Sequence, residues 1–423
     1  MNCAQSGGLK DWLKQRALAV CELVIGNKGR IYVNIGIFTD TYYPQVSGVA
    51  TSIKVLRNQL ERAGHQVYIF TTTDPHVDKN IYERNIFRFT SIPFVSFTDR
   101  RIAVRGLFKA YQVAKDLGLD IVHTQTEFSM GMIGKFVAKQ LKIPCIHTYH
   151  TMYEDYLHYI ANGKLLKPYH VKEATRAYCY HLNGVIAPSD RVSNTLKGYG
   201  VKTPVRIIPT GIDINQYEQT PDGNYREKLG YAPETPVLLS LSRLAYEKNI
   251  HEVIAALPQI IEQVPNVQLC IVGDGPARET LENQVKAAAL SEHVQFTGEI
   301  DNDEVYNYYQ MADLFVSASN SESQGLTYIE AMAAGLKTVV ASSPYTDQLL
   351  DDPSLGTTFS SERILVQDVV RYLQHPHAFD DPKPRQKKLY QISAEYFGKR
   401  VINYYQDVQL AYSETNKSAN ISD

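Results

Sequence analysis

Ile31-Tyr32-Val33-Asn34-Ile35-Gly36-Ile37-Phe38 reads as an apolar strand, and the pattern of the segments after it decides the fold. A loop leads into helical periodicity over residues 51–63, Gly64-His65 turns the chain, and residues 66–71 make a second strand. Apolar strands alternating with helices belong to a parallel sheet covered on both faces. The rhythm continues with strands expected at 86–89, 121–123, 143–147, 184–187 and 205–208.

A second series starts at 237–242 and runs through a helix at 252–263 and strands at 267–272, 294–297, 314–317 and 338–341. Residues 213–235, polar and carrying Pro221, Gly223, Gly230 and Pro233, read as the linker region between the two. The expected fold class is α/β: two doubly wound, Rossmann-like domains facing a central cleft, the GT-B architecture. Strand-to-helix loops of both would open into that cleft, where open α/β sheets bind ligands. The expected division is an extension at 1–30, a first domain at 31–212, a second at 213–385, a helix at 386–412 and a polar tail at 413–423.

Bulk properties agree. A chain of 423 residues suits two domains, and 44% hydrophobic with 21% charged residues describes a globular protein. The five cysteines (Cys3, Cys21, Cys145, Cys179, Cys270) are odd in number and unpaired in spacing, which points to reduced thiols in a cytosol and away from disulfides or zinc. No apolar run reaches the roughly 18–20 residues that span a bilayer. The net charge of −2 conceals a division: residues 1–210 hold 27 Lys and Arg against 15 Asp and Glu, leaving 16 against 30 in the rest. The basic half would face something anionic, a membrane leaflet or nucleic acid. No recognition-helix, RNP-like or zinc pattern accompanies that charge, so nucleic acid is not expected.

Ser321-Glu322-Ser323-Gln324-Gly325-Leu326-Thr327-Tyr328-Ile329-Glu330 carries the chemistry. The run would set the N–H groups of Gly325, Leu326 and Thr327 at a helix N-terminus, where an anion can sit. Glu322 lies in the loop before that helix and Glu330 on its second turn. One carboxylate can reach a sugar's hydroxyls and the other a ribose, with a diphosphate between them. The bland alternative is a surface helix with two solvated glutamates.

The Glu, seven residues, Glu spacing resembles the signature of retaining glycosyltransferases of family 4. Residues 240–249, following an apolar strand, are similar to that family's Arg…Lys loop, which implies that Arg243 and Lys248 hold the donor diphosphate. Such a fixed cationic pair stabilises the leaving phosphate as its charge grows. Gly273 in the turn 272–276 and Ile300 at the end of 296–300 match segments lying near the nucleotide. Gly48 would let a helix tip approach phosphate or sugar, although Ser47 stands where the family often has another glycine. Of two histidines ending a strand, His150 would line the sugar pocket, and His147 reads as structural. The last helix of such proteins crosses back to the first domain.

Residues 38–42, 123–129 and 147–156 narrow the resemblance to the bacterial 1,2-diacylglycerol 3-α-glucosyltransferases within that family. It implies UDP-glucose as donor, diacylglycerol as acceptor and retention of anomeric configuration. No tightly bound cofactor and no divalent metal are implied. The expected place is cytoplasmic, peripheral on the inner face of the membrane, supplying membrane glycolipid and lipoteichoic acid anchors. Another lipid-linked or glycolipid acceptor, a UDP-galactose donor, or a non-catalytic scaffold of the same fold are the alternatives. Residues 94–109 set apolar residues beside a basic run, with five cations and no acid between Arg100 and Lys115. This reads either as a contact with anionic lipid or as a solvated basic helix with Phe94 and Phe97 in the core. Trp12, Leu13, Ala17, Val20, Leu23 and Val24 would line one helix face in an extension that is either interfacial or frayed.

Overall fold

Alternate residues of each central strand enter opposite cores, which is why the strands read as continuous apolar runs. The structure, a computed structural model, describes residues 32–45, 47–77, 83–94, 97–154, 167–218, 223–301 and 304–421. The extension at 1–30 lies outside the described residues. In chain order, β1 (Asn34–Phe38), β2 (Gln66–Thr72) and β3 (Ile86–Phe89) are followed by an antiparallel hairpin of β4 (Ser91–Phe94) and β5 (Phe97–Ala103). Then come β6 (Ile121–Thr124), β7 (Cys145–Thr148), β8 (Gly184–Ala187) and β9 (Val205–Ile207). Excluding the hairpin, they form one parallel sheet ordered β3-β2-β1-β6-β7-β8-β9.

The second sheet contains β10 (Val237–Leu241), β11 (Gln268–Val272), β12 (Val294–Gly298), β13 (Leu314–Ser317), β14 (Lys337–Ala341) and β15 (Gly356–Phe359). Its order is β12-β11-β10-β13-β14-β15. In β10, Leu238 packs into one core and Val237 and Leu239 into the other. In β1, Phe38 faces one side while Ile35 and Ile37 face the other. The strand order reverses between β1 and β6, and again between β10 and β13. The loops leaving β1 and β10 therefore open at topological switch points, the ligand position of such sheets.

Four expectations change. The supposed linker at 213–235 contains the helices Ile214–Tyr217 and Tyr225–Lys228, and Tyr217, Tyr225 and Tyr231 are buried in the second domain's core. Tyrosine bodies supply the apolar area that the polar composition hid. The basic segment after residue 94 is not one helix but the β4–β5 hairpin followed by the helix Leu107–Asp116; the side chains of residues 94–100 lie outside the described set. β15 has no counterpart among the expected strands. The helix expected at 386–412 is two, Pro382–Gln391 and Ala394–Ile421, and the second continues through residues read as a polar tail.

The break between those helices has a cause. Ile212 N–H donates to the Ile392 carbonyl at 2.9 Å, and Ala394 N–H donates to the Ile212 carbonyl at 2.7 Å. The two passages of the chain between sheets thus touch each other. Beyond the break, Phe397, Val401, Tyr404, Tyr405 and Val408 pack with Val49, Ile53, Leu56 and Leu60 of the helix Gly48–Arg62. The last helix is built into the first sheet's core.

Candidate active site

Ser240 is buried at the end of β10, and the next residues leave the sheet. Arg243 is exposed on that loop, while Lys248 is withdrawn. Lys248 Nζ donates to Glu322 Oε1 at 2.5 Å, with side-chain exposures of 15% and 21%. Ser319 Oγ donates to the same oxygen at 2.8 Å. Burial pushes the Glu322 carboxyl up, but Lys248, Ser319 and Arg191 outweigh it and hold it below its ordinary range. A carboxylate at 322 is therefore ionised at neutral pH, next to an ammonium with two further N–H donors.

Gly325 begins the helix Leu326–Ala333 at φ 69°, a left-handed conformation suited to glycine. Leu326 and Thr327 form its first turn, and Gly48 faces them from the other domain: a Cβ on Gly48 would stand 3.6 Å from Leu326 Cδ1. The tips of two helices from separate domains thus meet. Glu330 is held by different groups, accepting from the Tyr309 hydroxyl at 2.8 Å, and burial raises its carboxyl above the ordinary value. Tyr309 also reaches the Thr327 carbonyl at 3.3 Å. Gly273, at φ 130°, lets the end of β11 approach β10: a Cβ there would lie 2.0 Å from the Ser242 carbonyl oxygen. Ile300, beyond β12, packs against the same core as Leu241 and Leu326.

On the first domain's side, His150 Nε2 meets Gln125 Oε1 at 2.6 Å, and Gln125 Nε2 meets His123 Nε2 at 3.2 Å. His123 lies fully buried between Tyr405 of the last helix, at 2.8 Å, and Thr148, at 2.7 Å. His147 is buried too, bonded to Thr124 and to Glu127 Oε1 at 3.0 Å. Burial, aided by His147, lowers His150 from 6.5 to about 4, so its imidazole is neutral at physiological pH.

Acid stability tests this chain of groups. Between pH 6.5 and about 4 the unfolded chain protonates His150 and the folded chain does not. The unfolded state then binds more protons, so stability falls as pH falls across that window, by at most about 3 kcal/mol for this residue. Asp40 and Glu330, both raised by burial, work in the opposite sense. Chemical denaturation of His150→Gln beside the unaltered chain should show a shallower loss; identical slopes would remove His150 as a buried neutral group.

Several participants carried no role in the sequence. Asp40, after β1, accepts from Thr126 Oγ1 at 2.6 Å, from Met130 N at 3.0 Å and from Ser129 Oγ, so it caps the helix Ser129–Leu141. Glu127 accepts from His147 and the Tyr153 hydroxyl. Arg191 and Ser189 reach the Glu322 loop from across the cleft. For Ser189 and Arg191 the signal available was a strand end followed by an N-cap serine; Asp40 and Glu127 lay in the segments 38–42 and 123–129, with no role attached. Among the described residues no group of three or more His, Cys, Asp or Glu side chains could hold a metal ion, and no helix is long and apolar enough to cross a membrane.

Comparison with known proteins agrees with the two-part architecture. Residues 46–216 match the family described as Glycosyltransferase Family 4, and residues 222–374 match Glycosyl transferases group 1. The chain is 46% identical over 386 residues to an alpha-monoglucosyldiacylglycerol synthase of Streptococcus pneumoniae, covering 89% of this chain and 86% of the relative. It is 32% identical to the protein of that name from Acholeplasma laidlawii, over 86% of this chain and 96% of the other. Among solved structures, Anabaena HepE in complex with UDP superposes with a TM-score of 0.71 at 18% identity, covering 88% of this chain and 100% of that one. A sucrose-phosphate synthase from Thermosynechococcus elongatus gives 0.70 at 21% identity, over 90% and 100%. At those identities the structures share the fold.

Proposed function

This chain belongs to glycosyltransferase family 4 and is a hexosyltransferase, and from that premise we propose that it transfers glucose from UDP-glucose to the free hydroxyl of 1,2-diacylglycerol with retention at the anomeric carbon. The product is α-monoglucosyldiacylglycerol, for membrane glycolipid and lipoteichoic acid anchors. The observation that carries the reading is the Lys248–Glu322 contact beside the helix tip at Gly325, with Gly48 opposite. Relatives named for monoglucosyldiacylglycerol synthesis support the choice of sugar and acceptor.

The acceptor hydroxyl attacks on the face from which UDP departs, and a phosphate oxygen of UDP takes its proton. Arg243 and Lys248 offset the charge that grows on the leaving diphosphate, where it matters most to rate. The N–H groups of Gly325, Leu326 and Thr327 add the helix-tip field. Glu322 orients the hexose, Glu330 holds the ribose, and neutral His150 lines the sugar pocket. Gly273 and Ile300 bound the nucleotide. No tightly bound cofactor and no divalent metal enter this scheme. Labelled UDP-glucose and UDP-galactose, each offered with diacylglycerol, monoglucosyldiacylglycerol and a polyprenyl phosphate sugar, test it directly. Transfer confined to a different pair would replace this donor or acceptor.

Membrane contact is part of the proposal. Phe128, Met132 and Phe108 are 38%, 55% and 77% exposed, with Phe108 meeting Phe136 edge-on at 6.4 Å. They form an apolar stripe where the helix Ser129–Leu141 leaves the cleft edge of the first sheet. Arg105, Lys109 and Lys115 are exposed nearby, whereas Arg101 is turned inward onto Ser91. Exposed apolar side chains ringed by cations suit an anionic inner leaflet. Phe108→Ser with Met132→Ser, or Arg105→Glu with Lys109→Glu, should reduce sedimentation with phosphatidylglycerol vesicles about tenfold or more at low salt. Undiminished binding by both pairs would move the contact elsewhere.

A further inference from the structure

The loop carrying Glu322 is held in place by the opposite domain. Arg191, on the first turn of the helix Asp190–Gly198, donates from Nη1 to the carbonyls of Asn320 and Glu322, both at 3.0 Å. Ser189, the N-cap of that helix and 1% exposed, donates from Oγ to the Ser323 carbonyl at 2.5 Å. Thr210 N–H donates to Gln324 Oε1 at 2.7 Å, and Gln324 Nε2 donates to the Thr210 carbonyl at 2.6 Å. Residues 320, 322, 323 and 324 are thus each fixed by a residue of the first sheet's domain.

The geometry has a chemical consequence. A trans peptide is planar, so a carbonyl drawn toward Arg191 turns the next residue's N–H the other way. The N–H groups of Ser321, Ser323 and Gln324 are in this way aimed away from the first domain's donors. Glu322 itself sits between its own domain's Lys248, which holds the carboxylate, and Arg191, which holds the carbonyl. Both bonds leave one nitrogen, whose two N–H groups serve the two carbonyls.

We propose that Arg191, together with Ser189, is a positioning residue for the nucleoside diphosphate sugar: the two orient the Glu322 loop from the facing domain. This rests on reading Glu322 as a donor contact. It adds two residues of the facing domain to the supports of that loop.

The test uses the full chain, unaltered and as Arg191→Ala, Arg191→Lys and Ser189→Ala. Calorimetric titration with UDP and UDP-glucose, steady-state kinetics and thermal melting are compared. Arg191→Ala should weaken UDP-glucose binding about tenfold or more and raise the donor KM with little change in the acceptor KM. Arg191→Lys should recover part of the affinity, since an ammonium also offers several N–H groups from one nitrogen but on a shorter side chain. Equal donor affinity in Arg191→Ala and the unaltered chain overturns this inference alone, as does a loss that merely follows the melting temperature across the three variants. Failure of the unaltered chain to bind either nucleotide overturns the proposed donor site itself.

Discussion

Arg243→Ala should lower turnover with UDP-glucose by about a hundredfold or more and leave the melting temperature almost unchanged. Arg243 is exposed on the loop after β10, so its removal takes little from the packed structure. Its proposed work is electrostatic and grows as the diphosphate departs, so kcat should fall more than the donor KM rises. Lys248→Ala should be at least as damaging to turnover but should also destabilise the fold. It strips the partner from Glu322, a carboxylate only 21% exposed, at a cost of about 1–3 kcal/mol. The pair separates chemistry from folding: Arg243→Ala isolates the first, and Lys248→Ala mixes both. Unchanged turnover in Arg243→Ala would take that residue out of the reaction.

The second large effect is expected at Gly273. An alanine Cβ would lie 2.0 Å from the Ser242 carbonyl oxygen and 3.0 Å from its carbon, and φ there is 130°. Both neighbours are backbone at the end of a central strand, so no rotamer change can relieve the clash. Gly273→Ala should cost about 2–4 kcal/mol and displace the loop bearing Arg243, abolishing measurable transfer. Gly48→Ala is the contrast. Its nearest neighbour would be 3.6 Å away, an ordinary contact with a flexible Leu326 side chain, and it begins a helix. The fold should survive with little change in melting temperature, and any loss of activity would report how closely a ligand approaches that tip. A well-folded, active Gly273→Ala enzyme would mean that the β10 and β11 loops need not touch.

The sequence was most legible where one physical rule acted alone. The strands at 184–187 and 314–317 were read to the residue, because buried strands declare themselves as short apolar runs between polar turns. It was least legible where two rules competed. The buried tyrosines at 217, 225 and 231 sat in a segment whose glycines and prolines read as a linker. The hairpin at β4–β5 was hidden because its alternation is interrupted by charged residues, and pairing between strands leaves no mark on composition. The C-terminal helix was recognised, but its break at Ile392–Ser393 depends on Ile212, far away in the chain.

The same division applies to the site. The proposed Glu322 and Glu330 were singled out by their spacing around a helix tip, and Arg243 and Lys248 by the resemblance of residues 240–249 to the family's loop. Their partners were not. That Lys248 reaches Glu322, that Tyr309 holds Glu330, and that Arg191 grips the 320–324 loop are meetings of residues 74, 21 and about 130 positions apart. By itself the sequence determined two doubly wound domains and the residues proposed to handle a sugar diphosphate, because periodicity and spacing are properties of neighbouring residues. Only the tertiary structure decided which domain holds which loop, because hydrogen bonds across a cleft depend on how two separately folded sheets are brought together.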